Sequence, residues 1–210
     1  MKPYLKIEKQ TLPNHVERPF FKALTHTARE HGYKGLFFRS RFLISRTKDH
    51  WLQVISRIMP YNSVRVRLQR WRGVMIGKDV HIGPMVTIDD PYPYFVSIGD
   101  GTAISGQNFI LTHSKAMKYH ANVSEAYVAP VIIEKRVWIA INVTVLPGVT
   151  IGEGSIVAAG SVVSESIPPL VFAAGIPAKV KEDLADKLKP NYSKGEFEKI
   201  LERRRKEFGM

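Results

Sequence analysis

His113 follows Thr112 at the point where a regular repeat in this chain stops, and two adjacent carboxylates, Asp89 and Asp90, stand where the same repeat stops earlier. These residue types suit proton chemistry. An imidazole can take the proton of a hydroxyl near neutral pH, and a carboxylate or carbonyl on its second nitrogen fixes the tautomer that leaves the first one basic. The chain has no cysteine, which excludes a thiol nucleophile, thiolate metal ligands and disulfides. Beside the carboxylates lie aromatic rings, in the stretch DDPYPYF. Asp89, Asp90, Tyr92 and Tyr94 are therefore candidates to support the histidine or to bind a hydroxylated acceptor. The same residues also read as a proline-braced turn with packed tyrosines.

Something must hold these groups, and the sequence shows it. Ile76, Ile82 and Ile88 are six apart; so are Ile98, Ile104 and Ile110, and again Ile133, Ile139, Val145, Ile151, Val157 and Val163. Four positions after most of them comes a small or β-branched residue: Val80, Val86, Thr102, Val137, Val143, Val149, Ser155, Ser161. At 100° per residue, six residues do not return to one side of a helix. Short strands joined by tight corners fit instead, each pointing one aliphatic side chain inward. Three sides make a triangular coil of 18 residues, so the twelve hexads make four coils, stacked about 4.8 Å apart. An ordinary Val-rich β-sandwich would not keep this phase. Both interruptions, Asp89 to Ser97 and Ser114 to Ile132, leave after the third strand of a coil, at one corner of the prism and one coil apart. Two loops at one corner form a rim around a site, with either Asp89 or Asp90 near the His113 ring.

The stretch VLPGVTIGEGSIVAAGSVVSESIPPLVFAAGIPAK, residues 145–179, resembles the hexapeptide-repeat acyltransferases, and the likeness covers roughly residues 74–181. The nearest type is the sugar O-acetyltransferases related to maltose and galactoside acetyltransferase. The resemblance implies a mainly β fold, a left-handed parallel β-helix, assembled as a homotrimer. It implies acetyl-CoA as acyl donor, laid in a groove between two subunits against Trp138, Ala140, Ala159, Gly160, Ser164, Lys179 and Lys181. It also implies that His113 is the general base of a direct transfer, with backbone N–H groups available for the oxyanion. There are departures: Gly83 stands where those enzymes carry an acceptor-side Asn, Ala140 replaces a common Gly, and Glu165 stands where Lys is frequent. The expected activity is acetyl transfer to a sugar hydroxyl in surface-polysaccharide biosynthesis. N-acetylation of an amino sugar and a non-catalytic trimeric scaffold docked on membrane are the competing readings.

The chain divides by charge. Residues 1–73 hold 16 Lys and Arg against 4 Asp and Glu, and residues 74–210 hold 15 of each. The expected organisation is a basic helical region over 1–73, a β-helix over 74–180 and a helical extension over 181–210. Trp51, Leu52, Val54, Ile55, Ile58 and Met59 follow helical spacing up to Pro60. GLFFRSRFLISR and SVRVRLQRWRG interleave basic and large apolar residues. Such a region could cap the open end of the β-helix with its arginines solvated, or lie on an anionic membrane. Nucleic acid ranks behind both, because no binding motif accompanies the charge. Phe197, Ile200, Leu201 and Phe208 are expected to pack on the prism, with Arg203 to Lys206 a solvated face. No signal-peptide pattern or membrane-length apolar run is present, which suits a cytoplasmic protein with contact at the membrane's cytoplasmic face. His81, His113 and His120 lack the spacing of a three-ligand zinc site, and His15, His26, His31 and His50 have no ligand pattern, so no metal is expected.

Overall fold

The computed structural model describes residues 7–12, 19–115, 118–120 and 122–210; His15 lies outside them. Three parallel sheets form a prism. The first stacks Met75–Ile76, Val96–Ile98, Val131–Ile133 and Thr150–Ile151. The second stacks His81–Ile82, Ala103–Ile104, Trp138–Ile139, Ile156–Val157 and Val171–Gly175. The third stacks Thr87–Ile88, Phe109–Ile110, Thr144–Val145 and Val162–Val163. The registers put like on like: Ile76, Ile98, Ile133 and Ile151 pair in one column, Ile82, Ile104, Ile139 and Val157 in the next, and Ile88, Ile110, Val145 and Val163 in the third. Nearly all are fully buried in one core cluster, where each contributes about 1.5–3 kcal/mol.

The corners share one conformation. Asp79, Met85, Gly101, Gln107, Arg136, Asn142, Gly148, Gly154 and Gly160, each three residues after an inward aliphatic, all have positive φ. For the non-glycine residues this costs about 1–2 kcal/mol each, which the stacked coils offset. The residues at the following position turn inward and are buried. Their hydroxyls bond the adjacent coil: Thr102 Oγ1 donates to Glu134 O at 2.6 Å and Ser155 Oγ to Pro168 O at 2.6 Å. After Ile88 and Ile110 this corner is missing, and there the two loops depart.

The second loop is more regular than expected. His113–Ser114 pairs antiparallel with Tyr127–Val128, whose other edge takes Gln10–Thr11. This small sheet brings Leu12, Ala126 and Val128 against Tyr92, Tyr94 and Phe95.

Helices α1 (Phe20–Glu30), α2 (Phe38–Ile58) and α3 (Asn62–Arg72) precede the prism. They close its open end through side chains that bond the first coil's unpaired backbone. Asn62 accepts from Ile82 N–H at 2.8 Å and donates to Val80 O at 3.0 Å, and Arg65 donates to Ile82 O at 2.6 Å. Arg70 donates to Gly77 O at 2.5 Å. This corrects the reading of Arg65 and Arg72 as solvated or membrane-facing: both are buried, because they satisfy carbonyls that no preceding coil reaches, whereas Arg67 and Arg70 are exposed. At the far end Ala178–Asp183 folds back antiparallel on Val171–Gly175. Beyond α4 (Ala185–Leu188), α5 (Lys194–Phe208) packs Phe197 and Ile200 on Leu170. Arg203 and Arg204 are not merely solvated: Arg203 donates to Glu134 at 2.9 Å, and the buried Arg204 to Asp183 at 2.9 Å.

Candidate functional site

Asp89, rather than Asp90, meets the histidine. Asp89 Oδ2 accepts from His113 Nδ1 at 2.7 Å, from Thr112 N–H at 2.7 Å and from the Thr112 hydroxyl at 2.7 Å. The carboxylate is 1% exposed and the imidazole 29%. Burial alone would raise the Asp89 carboxyl, but the bonds from His113 and Thr112 and the proximity of His113 outweigh it and hold the group below its ordinary value. An ionised Asp89 can only accept, so Nδ1 of His113 carries a proton, and in the neutral ring the lone pair is on Nε2. The edge of the Tyr92 ring lies against the imidazole, with centroids 5.6 Å apart at 61°.

Asp89→Asn is expected to lower turnover by about 10²–10⁴-fold, because an amide no longer dictates the tautomer. Its effect on stability runs the other way in acid. A depressed carboxyl stabilises the fold above its unfolded value and loses that contribution as pH falls through its folded value. Below about pH 4 the wild type should therefore lose melting temperature more steeply than Asp89→Asn, and calorimetry at pH 7 and pH 3 reads the difference.

Asp90 has another task. It accepts from the guanidinium of Arg72 at 2.9 Å and from His50 Nδ1 at 3.0 Å. Arg46 holds the same loop through Asp90 O at 2.7 Å and Pro91 O at 3.1 Å. Arg72, fully buried, also donates to Asp49 O at 3.0 Å, Gln69 Oε1 at 2.7 Å, Ile88 O at 3.1 Å, Asp89 O at 3.1 Å and Gln53 Oε1. It thereby fixes the backbone from which the Asp89 carboxylate projects.

Tyr92 and Tyr94 do not present ring faces to an acceptor: they are 4% and 6% exposed and belong to the cluster under the small antiparallel sheet. Behind Tyr92 the His31 ring stacks in parallel at 4.8 Å, with Nδ1 2.9 Å from Thr27 O. Burial lowers His31 from its ordinary value, so it packs as neutral imidazole. His31, Arg46 and Arg72 were invisible as site residues because they come from helices far away in sequence, without ligand spacing. A cleft of about 510 Å³ opens on α1 among Phe21, Lys22, His26, Arg29, Glu30 and Arg39, and Glu30 also reaches Lys115 at 3.5 Å, two residues beyond His113.

The residues expected to hold the donor lie elsewhere on the chain. Trp138 is half exposed on the outer side of the second sheet. Ala140, Ala159 and Gly160 lie at the corner between the second and third sheets, whereas His113 stands where the third leads to the first. Within one chain they do not converge on the histidine. Ser164 and Lys181 are exposed, and Lys179 pairs with Glu165 at 2.9 Å in an open surface contact that a phosphate could displace. Gly83 cannot be an asparagine in this packing, since a Cβ there would fall 2.5 Å from Gly106 N. Among the described residues no three His, Asp or Glu side chains converge as a metal set, and no helix is long and apolar enough to cross a membrane.

Residues 130–165 match the bacterial transferase hexapeptide (six repeats) family. The chain is 32% identical over 139 residues to a putative acetyltransferase, YvoF, of Bacillus subtilis, covering 64% of this chain and 77% of that protein. It is 37% identical over 127 residues to the galactoside O-acetyltransferase of Escherichia coli, covering 56% of this chain but 61% of that protein, less than two thirds of its length. The crystal structure of a hexapeptide-repeat-containing acetyltransferase of Vibrio cholerae, complexed with acetyl coenzyme A, superposes with a TM-score of 0.53 at 25% identity, covering 69% of this chain and 89% of that one. The prism is thus the left-handed parallel β-helix that the family resemblance implies.

Proposed function

The chain belongs to the hexapeptide-repeat acetyltransferases, and we propose that it moves the acetyl group of acetyl-CoA directly to a hydroxyl of a sugar. The observation that carries this reading is His113 with its Nδ1 held by a buried, ionised Asp89 and its Nε2 left basic at the loop rim. The acceptor hydroxyl gives its proton to Nε2 as its oxygen attacks the thioester carbonyl. The imidazolium so formed is stabilised by Asp89. The tetrahedral oxyanion then collapses, the C–S bond breaks, and Nε2–H returns the proton to the departing thiolate. No covalent acyl-enzyme is needed.

A sugar acceptor is supported by the galactoside named in one relative, and acetyl-CoA by the ligand of the crystallised one. A role in surface polysaccharide, on the cytoplasmic side, is the finer part of the reading. So is the homotrimer. Trp138 on the second sheet and Ile141 just after it are exposed apolar side chains that a neighbouring copy would cover, so that the donor residues of one chain could serve the His113 of another.

Incubation with acetyl-CoA and a panel of sugars, amino sugars and oligosaccharides, followed by mass analysis before and after mild alkali, tests the reading. An alkali-labile acetyl ester supports it. An alkali-stable acetamide would move the acceptor to an amine, and no product with any acceptor would favour the scaffold.

A further inference from the structure

Helix α2 is amphipathic the wrong way round. Its buried face is Phe42, Asp49, Gln53 and Ser56, mostly polar, and its solvent face carries Phe37 at the N-cap, Ile44, Trp51, Ile55 and Ile58. The inner face is polar for a reason already visible: it supplies Gln53 and the Asp49 carbonyl to Arg72, and Gln53 to Val86 O at 3.4 Å. The outer face has no such task. At 100° per residue Ile44, Trp51, Ile55 and Ile58 fall within roughly 60° of one another, a stripe along most of the helix, with exposed Phe37 just ahead of its first turn. Ile44 is 69% exposed, Trp51 59% and Ile58 67%. Exposed Arg41 and Lys48 flank the stripe along one side, while the helix's one acidic residue, Asp49, is buried on the opposite face.

We propose that this face docks α2 flat on an anionic lipid bilayer, the stripe entering the headgroup–acyl boundary and the flanking basic residues meeting lipid phosphates. The charge selects this occupant. A partner must be apolar beneath the stripe and negative beside it, which an anionic bilayer is. A second copy of this helix would set its own Arg41 and Lys48 against the first. The proposal also narrows the membrane contact expected from the sequence to one of its two basic stretches: the buried Arg65 and Arg72 of α3 cannot make it, and the outer face of α2 can. Because a flank of the same helix holds the Asp90 carboxylate through exposed His50 and the Asp90 carbonyl through Arg46, docking would seat the His113 site close to the bilayer surface.

Flotation of the full chain with vesicles tests this without any use of acetyl transfer. Vesicles of phosphatidylcholine with and without phosphatidylglycerol are compared, with Trp51 emission as a second readout. The wild type should bind the phosphatidylglycerol vesicles at least ~10-fold more tightly than the neutral ones, with a blue shift in emission. Ile44→Ser/Trp51→Ser/Ile58→Ser and, separately, Arg41→Glu/Lys48→Glu should each lose ~10-fold or more. Both should keep the wild-type circular dichroism and melting temperature, since these side chains face solvent. No binding of folded wild type to either vesicle would overturn the proposal. So would anionic binding that the serine variant retains, which would be charge attraction alone. A wild-type assembly that the serine variant splits into smaller species would instead assign the stripe to a second copy.

Discussion

His113→Ala is expected to lower the acceptor-dependent rate by about 10²–10⁴-fold, the usual contribution of a positioned general base. The loss should fall on turnover. Acetyl-CoA is expected to contact residues on another edge of the prism, so its affinity should stay within about twofold. The fold should tolerate the change: the imidazole is partly exposed, and Asp89 keeps both donors of Thr112. Equal melting temperatures for the variant and the wild type, with coenzyme A release followed by a thiol reagent, separate lost chemistry from lost structure. A variant retaining more than a tenth of the wild-type rate would remove His113 from the role of base.

Arg72→Met is expected to produce the largest loss of stability, about 3–5 kcal/mol. Methionine fills much of the volume but removes the donor from the carbonyls of Ile88 and Asp89 and from Gln69 Oε1, and one of the donors from Gln53 Oε1, which keeps Gln69 Nε2, deep under α2 and α3. The Asp90 carboxylate, part exposed, adds less. The melting temperature should fall by roughly 10 °C. Arg72→Lys should fall between the two, because one ammonium cannot reach all the acceptors that the guanidinium fork serves. The folded fraction of either variant should also show reduced turnover at unchanged acetyl-CoA affinity, since Arg72 holds the Asp89 backbone. A melting temperature within 2 °C of wild type for Arg72→Met, a shift worth about half a kcal/mol to a kcal/mol, would contradict the assigned role.

The prism was legible because a period of six has one structural solution and every inward position keeps it. The shared corner of the two loops followed by counting strands, and with it the meeting of His113 and a carboxylate. Which carboxylate was not legible. Asp89 and Asp90 are neighbours of one type, and Arg72 decides between them by drawing Asp90 away. Arg72 itself reads as a solvent residue in SVRVRLQRWRG, since what it bonds, the unpaired edge of the first coil, exists only once the coils are stacked. Tyr92 and Tyr94 looked available for an acceptor. They are covered by strands from Gln10–Thr11 and Tyr127–Val128, whose antiparallel pairing across more than a hundred residues leaves no local pattern. The apolar spacing of α2 was legible as helical, but which face it buries was not, because a cap over an open β-helix end needs polar groups inside. Gly83 reverses that lesson. Its departure from the resembled enzymes is visible in the sequence, but its cause, the close approach of Gly106, is visible only in the packing.

Direct transfer is the central claim, and rapid-mixing measurement of coenzyme A release, with and without the best acceptor from the panel, tests it most directly. The account predicts no release from acetyl-CoA alone and immediate release, equimolar with acetyl ester, once acceptor is present. A burst of one coenzyme A per chain without acceptor, leaving an acetylated protein, would contradict it.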